Sequence, residues 1–189
     1  MRNGLRRLVL RLAIAIAGAA LVTTGLMQLG AQRDGLEIRE AVVDGMPVRF
    51  VFAMNRAERS APGVLVAHGF AASHRLMLGY AYALAHDGYA VTPWDFAGHG
   101  ANTDRPGEGG RRLHGEVDSA LAFLLDQPEV DQHQLAIVGH SMGSGAAMTA
   151  GIRYPGIYGA VVAISPTGAA VNEDLPRNLL LQAGPWEPR

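Results

Sequence analysis

No cysteine occurs in this 189-residue chain. That excludes disulfides, thiolate-ligated zinc, iron–sulfur clusters and a cysteine nucleophile. It leaves the redox compartment open, because a chain without thiols tolerates either state. Charge is scarce as well: Asp, Glu, Lys and Arg make up 17% of the residues, and the formal net charge is −1. No basic stripe appears beyond the N-terminus, which argues against nucleic acid as a partner. No HExxH or comparable ligand spacing is present, and no P-loop, so neither a metal nor a cofactor is expected. No internal repeat and no second globular domain stand out. What the chain has in quantity is apolar residues, 49%, and glycine, 24 of them. The first excludes a disordered chain. The second implies tight turns and close backbone approaches.

The longest uncharged run lies at the N-terminus. Arg2, Arg6, Arg7 and Arg11 precede any acidic residue, and Leu12–Gly30 then carries no charge. As a helix rising 1.5 Å per residue, that run spans about the 30 Å of a bilayer's hydrocarbon. A buried core helix is the bland alternative; the one-sided basic flank favours a membrane segment. Residues 1–31 therefore read as a membrane anchor or a signal segment. Leu29 occupies the third position before a cut after Ala31, where a small residue is preferred, and the run exceeds a typical signal core. An uncleaved anchor is the expectation, with secretion after cleavage as the alternative. Either way the arginines stay cytoplasmic and the remainder is expected on the extracytoplasmic side.

Residues 36–189 alternate strands and helices. Leu36–Val43 and Pro47–Ala53 read as a hairpin about Asp44-Gly45. Gly63–Ala67, Tyr89–Trp94, Leu135–Val138, Ala160–Ile164 and Asn178–Gln182 read as strands. Ser73–His86 reads as a helix with Leu76, Met77, Tyr80 and Leu84 on one face. Gly115–Gln127 carries a Val117, Ala120, Leu121, Leu124, Leu125 stripe at helical spacing and stops at Pro128. Met142–Arg153 is a third helix, stopped by Pro155-Gly156. Apolar runs without alternation, separated by amphipathic helices, predict an α/β fold: a mostly parallel sheet covered on both faces.

Between a strand and a helix stands Gly139-His140-Ser141-Met142-Gly143. The G-x-S-x-G pattern alone is a weak signal in so glycine-rich a chain. Its strand–turn–helix setting is what gives it weight, because there the serine sits on a strained turn with its hydroxyl exposed. Gly139 and Gly143 are expected where a side chain would strike the neighbouring strand or helix. A structural serine in a glycine-rich turn is the bland alternative. A dinucleotide site is a rival reading, but Met148 follows Gly143 and Gly145 where G-x-G-x-x-G needs Gly or Ala.

Ala67-His68-Gly69-Phe70 follows the first buried strand, and Asp95-Phe96-Ala97-Gly98-His99-Gly100 follows the second. With the elbow, these turns resemble the α/β-hydrolase family in the order in which it lays out its elements. Asn102 departs from the serine more usual after the second turn. The resemblance implies serine ester, thioester or amide hydrolysis on a small acyl substrate. Ser141 is then the nucleophile, and Phe70 and Met142 supply the oxyanion N–H groups. His68 and His99 become structural turn residues, and His140 an elbow neighbour. Trp94, Tyr80, Tyr82 and Tyr89 read as core or pocket wall, and Arg111-Arg112 as solvated surface. Only Ser165 to Arg177 link the last two strands, which resembles the lidless esterases, thioesterases and peptidase-like members.

In this fold the acid follows the serine and the histidine follows the acid. Glu187 fits the family's acid slot; Glu173 and Asp174 are the alternatives, as is a merely solvated Glu187. The seven histidines, His68, His74, His86, His99, His114, His133 and His140, all precede Ser141. The resemblance thus implies a hydrolase domain lacking its last strand, last helix and triad histidine. This chain alone is expected to be nearly inactive, and a non-catalytic membrane-anchored module stays open as a second reading.

Overall fold

The computed structural model describes residues 2–56, 60–107, 111–166 and 175–184. The chain divides into two compact units, Met1–Asp34 and Gly35–Arg189. The first is one helix, α1, Arg2–Ala31. Its segment Arg6–Ala31 is apolar and long enough to cross a membrane, as a signal sequence also is.

The second unit is built on a seven-stranded sheet. In chain order it comprises β1 (Leu36–Val43), β2 (Met46–Ala53), β3 (Ala61–Ala67), α2 (Leu78–His86), β4 (Ala90–Pro93) and α3 (Arg111–Leu125). There follow β5 (Val130–His140), α4 (Met142–Arg153), β6 (Tyr158–Ile164) and β7 (Leu179–Gln182). The strand order is β1-β2-β4-β3-β5-β6-β7. β1 and β2 are antiparallel, with Val43 opposite Met46, and β2 is antiparallel to β4. From β4 to β7 every pairing is parallel. The hairpin closes through Asp44 and Gly45, at φ 50° and 80°. A two-residue loop with both central φ positive matches the right-handed twist of its strands.

The alternation along each strand divides the core. In β3, Leu65 and Ala67 join Phe50, Trp94, Phe96 and Ile137 beneath α3 and α4. Val64 and Val66 join Val51 and Val91 against α2 on the opposite face. α3 buries Val117, Ala120 and Leu124 as its stripe predicts. α2 does not follow its pattern. Met77, Ala81, Tyr82 and Ala85 are buried, whereas Leu76 is 63% and Tyr80 49% exposed. Met77, Ala81, Tyr82 and Ala85 pack into the second core, and Leu76 and Tyr80 are turned outward. Its first turn, His74–Met77, is a 3₁₀ turn. The second core thins beyond β5: Ala136 and Val138 are only its partly buried rim, and Leu180 on β7 is 59% exposed.

β5 is much longer than Leu135–Val138. Its polar first half pairs through Val130 and Asp131 with Ala61 and Pro62 before a register shift. The exposed Gln132, His133 and Gln134 fall within that register shift and carry no strand pattern, which is why the sequence marks only the second half. The parallel registers bring Ala67, Gly139 and Ala163 side by side. The loops that leave β3, β5 and β6 therefore open at one edge of the sheet, the carboxyl edge where ligands bind in open α/β sheets.

Candidate active site

Ser141 stands alone between the last residue of β5 and the first of α4, with φ 52° and ψ −116°. A positive φ is rare for a residue with a side chain and costs on the order of 1–3 kcal/mol. The backbone holds it there. The Ser141 N–H donates to Ile164 O at 2.9 Å, tying the elbow to the end of β6. The Ser141 carbonyl accepts the Ser144 N–H at 2.9 Å and the Ser144 hydroxyl at 2.5 Å.

The two flanking glycines are sterically required. A Cβ on Gly139 would lie 2.0 Å from Gly143 O, and one on Gly143 would lie 2.5 Å from Ala67 O and 2.6 Å from His68 O. The strand-to-helix turn is thus pressed against the end of β3, and Gly143 is where the two backbones touch. A Cβ on Gly69 would fall 3.1 Å from Ser141 Cβ and 3.0 Å from His140 Nδ1. The turn that follows β3 therefore abuts the serine.

That turn, Gly69 to Ala72, is closed by the Ala72 N–H donating to Gly69 O at 3.3 Å, with Ala71 at φ 56°. Phe70 is 77% exposed on it. Among the described residues, neither the Phe70 N–H nor the Met142 N–H meets a protein acceptor. Met142 is the first residue of α4, where a helix has N–H groups without an internal partner and a positive dipole end.

Of the turn histidines, His68 is fully buried, and its ring is fixed by two hydrogen bonds. Its Nε2 accepts the Phe96 N–H at 3.0 Å, so Nδ1 carries the proton and donates to Gly69 O at 2.7 Å. Burial holds its pKa below the ordinary histidine value. His99 donates from Nδ1 to Ala97 O at 2.9 Å and packs edge-on against Phe70, ring centroids 5.5 Å apart. Both are spent on backbone geometry. His140 has a buried Nδ1 with no described partner. No described imidazole hydrogen-bonds to the Ser141 hydroxyl.

One constellation was visible in the sequence only in part. Asp95 is fully buried, and its carboxylate accepts three donors. The His74 N–H reaches Oδ1 at 2.6 Å, His74 Nδ1 reaches the same oxygen at 2.8 Å, and the Ala101 N–H reaches Oδ2 at 2.8 Å. Burial pushes this carboxyl up, but the His74 imidazole and the two N–H groups outweigh it, so it titrates below its ordinary range. Glu116 on α3 supports the same loop by accepting the Ala97 N–H at 2.7 Å. Asp95 was legible only as part of a glycine-loop pattern, and His74 only as one histidine among seven.

Glu187, Glu173 and Asp174 lie outside the described residues, as do the side chains of Arg111 and Arg112. Trp94 and Tyr82 are buried, but Tyr80 and Tyr89 are exposed at 49% and 36%, on the outer side of α2 and just before β4. Among the described residues no group of three or more His, Asp or Glu is placed to hold a metal ion. Two cavities in this unit, one lined by Asp44, Asn102 and Ser119 and one by Tyr154, Tyr158 and Asn178, both exclude Ser141.

The strand order, the elbow and the adjoining turn define an α/β-hydrolase. Residues 59–186 match the family described as serine aminopeptidase, S33, and the chain belongs to that family. It is 33% identical over 132 residues to a monoacylglycerol lipase of Mycolicibacterium smegmatis, covering 66% of this chain and 44% of that protein. It is 32% identical over 120 residues to an uncharacterized protein of Mycobacterium tuberculosis, covering 62% of this chain and 42% of the relative. The chain thus spans less than half the length of these curated relatives. Among solved structures, an esterase with p-nitrophenol superposes with a TM-score of 0.59 at 18% identity, over 79% of this chain and 52% of that one. At that identity the likeness concerns the fold.

Proposed function

We propose that this protein is a membrane-anchored serine hydrolase of small acyl esters or thioesters, with Ser141 as nucleophile. The observation that carries the proposal is the strained Ser141, at φ 52° between β5 and α4, with the Gly69 turn against it. In this reading Ser141 Oγ attacks the acyl carbon as its proton passes to a base. The oxyanion forms against the Phe70 and Met142 N–H groups, and the alkoxide or thiolate leaves. Water then hydrolyses the acyl-enzyme. Glu187 is the acid that orients the base. Removing one such oxyanion donor costs about 10²–10³ in turnover.

The base is not one of the described imidazoles where they now stand. The 189-residue chain by itself is therefore expected to turn over on the order of 10⁶ more slowly than an intact triad. α1 is proposed as the anchor, with the hydrolase unit outside the cytoplasm; release after cleavage is the competing topology.

The family's description supports a second reading, hydrolysis of an aminoacyl amide by the same serine. The experiment is a panel of nitrophenyl esters, acyl thioesters and aminoacyl nitroanilides, run on the protein from its native source and on Ser141→Ala. Ester or thioester turnover that Ser141→Ala abolishes supports the first reading, and preference for the anilides supports the second. Absence of turnover on every substrate, with no acylation of Ser141, would establish a non-catalytic module instead.

A further inference from the structure

The turn that abuts Ser141 is pinned at both ends to a single loop. At its start, His68 Nε2 accepts the Phe96 N–H at 3.0 Å. At its end, His74 donates twice to Asp95, from the backbone at 2.6 Å and from Nδ1 at 2.8 Å. Asp95 and Phe96 are neighbours in sequence, so a rigid two-residue stretch at the end of β4 sets both ends of residues 68–74. Asp95 is itself fixed from three further directions. Its N–H donates to Pro47 O at 3.0 Å, its carbonyl accepts Asn102 Nδ2 at 2.9 Å, and its second carboxylate oxygen accepts the Ala101 N–H at 2.8 Å. Gly100 packs so closely on the carboxylate that a Cβ there would meet Asp95 Oδ2 at 2.2 Å. Between the two pins the turn's own hydrogen bonds both fall on Gly69 O, from His68 Nδ1 at 2.7 Å and from the Ala72 N–H at 3.3 Å, and Ala71 stands at φ 56°. A turn tied to itself only at its first residues and carrying a strained one needs its far end held as well.

We propose that Asp95 and His74 are positioning residues for the Phe70 N–H: the buried carboxylate–imidazole pair fixes the far end of the turn beside Ser141. This rests on the serine-hydrolase reading, in which that N–H stabilises the oxyanion. Preorganised donors act only where they are held close to the productive geometry, and a displacement of about 1 Å costs up to 10²-fold. The His74 ring is held by Nδ1 alone, because its buried Nε2 meets no described partner. That asymmetry supplies the test. The amide nitrogen of asparagine stands where Nδ1 stands, whereas that of glutamine stands nearer Nε2.

His74→Asn and His74→Gln are compared in the protein from its native source. His74→Gln is expected to lower kcat by about 10- to 100-fold with KM changed less than twofold. A trifluoromethyl ketone, which forms a tetrahedral oxyanion on the serine, is expected to bind more weakly by the same factor. His74→Asn is expected to restore both to within about threefold of the native enzyme. Amide hydrogen exchange supplies a readout that needs no chemistry at Ser141: residues 69–73 should exchange faster in His74→Gln than in His74→Asn, with α4 unchanged in both. Equal exchange of the turn in the two variants overturns the proposal whatever the activity. So does faster exchange in the glutamine variant with kcat unchanged, as long as Ser141→Ala is inactive. Turnover surviving in Ser141→Ala would instead bring down the serine-hydrolase reading on which the proposal rests.

Discussion

Gly143→Ala and Gly145→Ala place the same methyl group two residues apart on α4, and the structure assigns them opposite outcomes. On Gly145 the added Cβ meets nothing within 4 Å. On Gly143 it meets Ala67 O at 2.5 Å, His68 O at 2.6 Å and Ala67 C at 2.7 Å. All three are backbone atoms at the end of β3, so no rotamer change relieves them. Restoring an ordinary contact of 3.4 Å takes a shift of about 0.9 Å between the end of β3 and the start of α4. Forcing such a shift in a packed region costs about 1–3 kcal/mol. At roughly 2–4 °C per kcal/mol for a chain of this size, the melting temperature should fall by about 2–12 °C. A shift of that size would move Ser141 relative to the turn that carries Phe70, so turnover should fall by up to about 10²-fold. Gly145→Ala adds a better helix former in open space and should raise stability by about 0.5–1 kcal/mol, with turnover unchanged. The assay is thermal unfolding of the two variants by circular dichroism, made in the protein from its native source, with nitrophenyl ester turnover on the same samples. A Gly143→Ala protein as stable and active as Gly145→Ala would refute the close approach of the elbow to β3.

Further outcomes follow from other parts of the molecule. Membrane association should survive alkaline carbonate washing and be lost when residues 1–31 are deleted, and a periplasm-dependent reporter fused after residue 60 should be active; an active cytoplasm-dependent reporter there would reverse the topology. Folding stability should decline as pH falls from neutrality through the ordinary histidine range, because burial disfavours protonated His68 and His114 in the folded state while the unfolded chain takes up the protons. Unfolding titrations of His68→Gln should show a shallower decline, leaving the part that His114 contributes; an unaltered slope would exclude His68 as a source. The Asp95 carboxylate, depressed in the folded state, stabilises above the ordinary carboxylate pKa, and that contribution should vanish as pH falls through its lower folded value. Asp95→Asn should remove this acid-range dependence in the same titrations.

The architecture was legible where burial is periodic. Val117, Ala120 and Leu124 named the inner face of α3, and the unalternating runs at 63–67 and 135–138 named the central parallel strands. The elbow was legible because its steric demand falls on glycines, which the sequence displays directly. Legibility failed where position is decided by neighbours distant in the chain. Leu76 and Tyr80 have the spacing of a core face, yet the face turned to the sheet carries Met77, Ala81, Tyr82 and Ala85. The first half of β5 is interrupted by a register shift at the exposed residues 132–134, so it offers no apolar run to read. Asp95 and His74 stand 21 residues apart, and no spacing rule links a carboxylate at a strand end to a histidine before a helix. The assigned acid Glu187 and its rivals Glu173 and Asp174 rest on the sequence reading alone.

Everything proposed for the chemistry depends on which hydroxyl is acylated. The most direct measurement is labelling of the protein from its native source with a fluorophosphonate, followed by digestion and mass spectrometry of the modified peptide. The account predicts one labelled residue, Ser141, with labelling and ester turnover both lost in Ser141→Ala and retained in Ser144→Ala. Label on another residue, or turnover that persists in Ser141→Ala, would contradict it.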